Sequence, residues 1–141
     1  MRQIGLRLSL VMSLCLGGLC ACGGSSEHQV LGSAKAAGAD GIVEVEELEG
    51  GNVLATIHLE HLPPPGRIAE GASVYVVWFT GQGQQPIKAG TLAYDDDART
   101  GHLVATSPLK AFEVKVTAEN NAAVATPSEA VVVVKRVAVD D

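Results

Sequence analysis

Ser73-Val74-Tyr75-Val76-Val77-Trp78-Phe79-Thr80 is the stretch whose reading decides the fold. Successive side chains of a strand point to opposite sides, which puts Val74, Val76 and Trp78 on one face and Tyr75, Val77 and Phe79 on the other. Both faces are apolar, so the stretch reads as a central strand covered on each side. Working back toward the N-terminus, Val53 to Leu62 alternates: Val53, Ala55, Ile57 and Leu59 share a face, and Thr56, His58 and Glu60 face water. Ile42 to Leu48 precedes it through Glu49-Gly50-Gly51-Asn52, whose glycines can adopt the positive φ of a hairpin turn. Pro63-Pro64-Pro65-Gly66 ends the pair, because proline cannot donate to a sheet ladder. Toward the C-terminus, Ile87 to Tyr94, Thr100 to Thr106, Ala111 to Glu119 and Glu129 to Val137 supply further candidates between Gly, Pro, Asp or Asn punctuation. About seven such runs, spaced as in sandwiches, predict an all-β, immunoglobulin-like β-sandwich of antiparallel strands over residues 40–139. A small closed barrel is the alternative.

The whole chain fits one domain: it has 141 residues, of which 47% are hydrophobic, 18% charged and 4% aromatic. It is too apolar for a disordered tail and too poor in aromatic residues to stack nucleobases. A formal net charge of −6 also opposes polyphosphate, so no nucleic-acid partner is expected.

The first residues read as an address. Arg2 and Arg7 precede an apolar run from Leu8 to Leu19, the pattern of a signal peptide, here residues 1–21. The run is short of the roughly 20 apolar residues that a membrane span requires. Cys15, Cys20 and Cys22 all fall within or just after it, which leaves the body no disulfide framework. Leu19-Cys20-Ala21-Cys22 resembles the lipobox of bacterial lipoproteins, in which a small residue precedes the cysteine that is acylated. The resemblance implies lipidation at Cys22, with diacylglycerol and palmitate as the anchor. Gly23 stands where an Asp favours retention at the inner membrane, so the expected location is the cell envelope, anchored at the outer membrane. Loss of residues 1–21 removes two basic residues and no acid, leaving 8 basic against 16 acidic residues and a net charge of −8. Residues 22–39 are Gly/Ser/Ala-rich and read as a flexible linker on which an acidic body stands off anionic lipid.

A second resemblance lies in the body. Tyr75-Val76-Val77-Trp78-Phe79, Lys88-Ala89-Gly90-Thr91-Leu92, Phe112 to Glu119, Thr126-Pro127-Ser128 and Val131 to Val134 together resemble the extracytoplasmic domain of the anti-sigma-K factor family over roughly half of the chain. The resemblance implies the outer β domain alone, since the family's membrane span and sigma-binding segment have no counterpart here.

Candidate sites are few. Trp78 is expected in the core, as in sandwiches that bury a tryptophan on a middle strand, which leaves Tyr75 and Phe79 as a candidate binding surface for a glycan or an envelope protein. Asp95, Asp96 and Asp97 gather carboxylates of the kind calcium prefers, but no bidentate Glu follows at EF-hand spacing, and a solvated turn is the simpler reading. In His58-Leu59-Glu60-His61, His58 and Glu60 share a strand face while His61 points away; a solvent-facing strand is the default and zinc or copper the alternative. Glu44 and Glu46 read as the wet face of a strand, and His28 and His102 show no evident partner. No nucleophile elbow, phosphate-cradling loop or Cys–His pair survives signal removal, so no catalysis and no cofactor are expected. The expected function is a lipid-anchored, non-catalytic binding, interaction or sensing module of the envelope. A calcium-dependent ligand binder is the alternative, followed by an enzyme whose constellation assembles only in three dimensions.

Overall fold

The computed structural model describes residues 24–140; the expected signal peptide and all three cysteines, Cys22 included, lie outside the described residues. The described chain forms β1 (Ser25–Leu31), β2 (Asp40–Glu47), β3 (Val53–Glu60), the one-turn helix α1 (Pro65–Ile68), β4 (Val74–Thr80), β5 (Ile87–Thr91), β6 (Ala93–Asp95), β7 (Thr100–Ser107), β8 (Ala111–Glu119) and β9 (Val131–Ala138). They make two antiparallel sheets, one in the order β1-β2-β3-β7-β6 and one in the order β5-β4-β8-β9. No helix among the described residues is long and apolar enough to cross a membrane.

The core between the sheets follows from alternation. Val43 and Val45 of β2, with Val53, Ala55, Ile57 and Leu59 of β3, are fully buried on the inner face of one sheet. Opposite them stand Tyr75, Val77 and Phe79 of β4, Phe112, Val114 and Val116 of β8, and Val133 and Val137 of β9. Each such side chain contributes about 1.5–3 kcal/mol by leaving water. Gly50 and Gly51 take φ of +101° and +87° at the β2–β3 hairpin, as the sequence requires.

Two features enlarge the seven expected strands to nine. The run Ile87 to Tyr94 is not one strand: the chain changes sheets at Leu92, so β5 pairs with β4 while β6 pairs with β7. Leu92 is buried at the crossing, and its N–H donates to Tyr75 O at 2.9 Å. The second feature corrects the linker expected over residues 22–39. Ser25 to Leu31 is instead strand β1, paired with β2 along its whole length, so the folded body includes residues well before residue 40. Its polar residues hid it, since only Ser26 and Val30 are buried and the backbone ladder supplies most of its hold.

β1 also closes one side of the sandwich against β9. Ser33 N–H donates to Val132 O at 2.7 Å and Ser33 Oγ to Val131 O at 2.7 Å. His28 Nε2 lies 3.0 Å from Ala138 O, and Asp140 N–H donates to Ser26 Oγ at 3.0 Å. Among the described residues, the opposite side, between β5 and β7, stays open.

Candidate functional site

The open side holds a groove of about 460 Å³. Its walls are residues 87–89 of β5 and 104–107 of β7, with Phe79, Pro108 and Leu109 between them. Consecutive residues line it because the walls are strand edges rather than strand faces. Among the described residues β5 has a strand on one side only, and β7 pairs with β6 no further than Thr100 to His102. Two unpaired edges therefore face each other across a trough of mixed character, apolar at Phe79, Ile87 and Leu109 and polar at Gln84, Thr106 and Ser107. Ile87 is 64% exposed there; Val104, 49% exposed, stands beside its cross-strand partner Thr56 at the outer rim, and the lining includes no carboxylate.

A second concentration of polar groups lies on the outer face of the other sheet, where β2 begins and β3 ends. Cross-strand register sets Asp40 beside Glu60. His61 follows Glu60 with φ +53°, a left-handed turn that swings its imidazole back toward this corner. His61 therefore does not point away, as strict strand alternation predicts: its Nδ1 lies 2.6 Å from Asp40 Oδ1. That hydrogen bond, then the charge of Asp40, raises the His61 pKa from its ordinary value. Oxygen atoms of Asp40 and Glu60 and a ring nitrogen of His61 lie within 4.8 Å of one another, the one such group among the described residues. His58 Nε2 stands 3.5 Å from Glu60 Oε1, and the His58 ring lies 6.3 Å from that of His102. A shallow depression beside the corner is bordered by Gln29, Leu31, Ile42 and His58.

In comparisons with family models, with curated proteins and with solved structures, none matches this chain significantly.

The structure redistributes the other expected site residues. Tyr75 is fully buried and Phe79 is 6% exposed, which corrects their reading as a surface platform. Both belong to the core between the sheets, and Phe79 reaches solvent only at the floor of the groove. The face assignment of β4 is reversed because both of its faces are apolar and alternation cannot say which one meets the second sheet. Trp78 is buried, but on the outer face of its sheet, where residues 120–130 are tied over it: Lys88 Nζ donates to Ala122 O at 2.6 Å, and Ser128 N–H donates to Glu119 Oε1 at 2.8 Å. The Asp95 carboxylate accepts from Asp97 N–H and Ala98 N–H, each at 3.0 Å, so it caps its own turn; Asp96 and Asp97 are exposed. Asp40 is a ligand-type residue that no local pattern in the sequence singles out. Its only signal was the β2–β3 register, which follows from the Gly50-Gly51 turn.

Proposed function

We propose that this protein is a lipid-anchored envelope lipoprotein whose sandwich is a non-catalytic binding module, taking an extended peptide segment of another envelope protein along the open β5–β7 side. The observation that carries this reading is the pair of unpaired strand edges facing each other across a groove with an apolar floor. Backbone N–H and C=O groups on such edges serve an added strand, and pockets beside them select its side chains. The groove volume lies in the usual range for a binding site, and its lack of acid in an acidic chain suits a neutral or acidic segment.

Anchoring at Cys22 gives the module an orientation. Three positions separate Cys22 from Ser25, a reach of at most ~10 Å, so an acylated cysteine would hold the body close to the lipid rather than on a long tether. Register carries Ser25 across Glu46 and Leu54 to Thr106, which puts the groove toward the anchored end. The Asp40–Glu60–His61 corner lies at the other end of β1, ~20 Å further out. The strand order also supports an immunoglobulin-like reading: β2-β3-β7-β6 and β5-β4-β8-β9 correspond to the A-B-E-D and C′-C-F-G arrangement of that fold, with β1 added before it. We take the likeness to the anti-sigma-K outer domain as bearing on the domain alone.

Two measurements test this reading. A metabolic fatty-acid probe labels the wild-type chain and not Cys22→Ser; an unlabelled wild type removes the anchor. A photo-crosslinking residue at Ile87 or Val104 in the native envelope captures a polypeptide that the same residue at the exposed Val134, on the far sheet edge, does not. Equal capture at all three positions removes the groove.

A further inference from the structure

The corner formed by Asp40, Glu60 and His61 goes beyond the peptide-binding reading and stands independently of it. We infer that it is a binding site for a divalent transition-metal ion of the zinc type. Three ligand atoms of the right kinds already lie within 4.8 Å of one another, two carboxylate oxygens and one imidazole nitrogen. Around a tetrahedral zinc with bonds of about 2.0–2.2 Å, ligand atoms sit roughly 3.3 Å apart. The His61–Asp40 contact of 2.6 Å has to open by less than an ångström, and the other separations, none above 4.8 Å, have to close by no more than about 1.5 Å to reach it. Exposed side chains allow this, with His61 at 72% and Asp40 at 47% exposure.

Each ligand is delivered by a rigid feature. Asp40 and Glu60 are direct cross-strand partners on neighbouring strands, so their separation is set by the ladder rather than by a loop. The left-handed backbone at His61 brings the nitrogen donor to the same side. His58, at 3.5 Å from Glu60, supplies the outer partner that ligating carboxylates usually have. The imidazole distinguishes the site from a calcium site, where oxygen ligands alone are preferred. A fourth position stays open to solvent, so the ion would hold water or an anionic group of a ligand.

The test is calorimetric titration of Zn²⁺ into the full-length chain carrying Cys15→Ser, Cys20→Ser and Cys22→Ser, so that no thiol contributes. The expected result is one saturable site per chain, weakened at least tenfold by Asp40→Asn and by His61→Gly, and unchanged by His102→Asn. Gly retains the positive φ at position 61 while removing the ligand. Independently, NMR of the histidine rings in the same chain shows the His61 resonances shifting on Zn²⁺ addition and returning with EDTA. Absence of saturable binding, full-strength binding by His61→Gly, or a His61 ring insensitive to zinc each overturns the assignment.

Discussion

The indole N–H of Trp78 donates to Thr117 Oγ1 at 2.9 Å, and Thr117 in turn donates to Glu119 Oε1 at 2.7 Å, a buried relay on the outer face of the β5-β4-β8-β9 sheet. The same carboxylate oxygen accepts the Ser128 N–H, so the relay ties the β8–β9 connection down over the indole. Lys88 Nζ lies 5.9 Å from the ring centroid and adds a cation–π contact. This sheet thus has a second, small core outside the sandwich.

Trp78→Ala should cost about 3–5 kcal/mol, because a fully buried indole leaves a cavity and Thr117 Oγ1 loses the N–H it accepts while still donating to Glu119. Trp78→Phe keeps most of the packing and should cost nearer 1 kcal/mol, the worth of the lost hydrogen bond. Urea unfolding followed by circular dichroism separates the two; an unchanged midpoint for Trp78→Ala contradicts the buried placement.

Glu119→Ala removes the acceptor shared by Thr117 and Ser128 and should cost about 1–3 kcal/mol for the buried Thr117 hydroxyl left without an acceptor, while the exposed Ser128 N–H can turn to water. Since the chain has one tryptophan, its fluorescence reports this region alone. Acrylamide quenching of native Glu119→Ala should exceed that of wild type as residues 120–130 loosen, while Glu119→Gln, which keeps a carbonyl acceptor, should stay close to wild type.

Gly41→Ala should destabilise by at least about 1–3 kcal/mol, since a Cβ there would lie 2.1 Å from His58 O, a backbone atom that cannot turn aside. Gly38→Ala meets nothing within 4 Å and should be neutral or slightly stabilising. Equal thermal midpoints for the two variants would contradict the close β2–β3 approach.

The two tyrosines predict an alkaline limit. Tyr75 OH donates to Pro63 O and Tyr94 OH donates to Leu62 O at 2.8 Å, so both hydroxyls hold the chain just after β3. Burial, first among the causes, pushes both phenol pKa values above their ordinary 10.0. The folded state thus keeps protons that the unfolded chain releases, so this stabilisation is complete below pH 10 and falls as pH rises beyond it. Phenolate absorbance, which reads only these two residues, should rise together with unfolding, and Tyr75→Phe should weaken the alkaline loss of stability.

Legibility followed the physics of each segment. The inward face of β3 was readable because apolar and polar residues alternate there, and Gly50-Gly51 marked the hairpin because positive φ strongly favours glycine. β1 was not readable, since edge pairing and side-chain links to β9 hold a polar strand that carries no hydrophobic period. His61 escaped because one residue in a left-handed conformation cancels the alternation that would have turned it away.

By itself, the order of residues determined an all-strand body, its turns and the inner face of β3, because local alternation and backbone freedom are properties of neighbours in the chain. Only the tertiary structure decided which face of β4 meets the other sheet, that Asp40 joins Glu60 and His61, and which side of the sandwich stays open. Those outcomes depend on pairings between distant segments, and a strand apolar on both faces, or polar along an edge, carries no local signal of its partner.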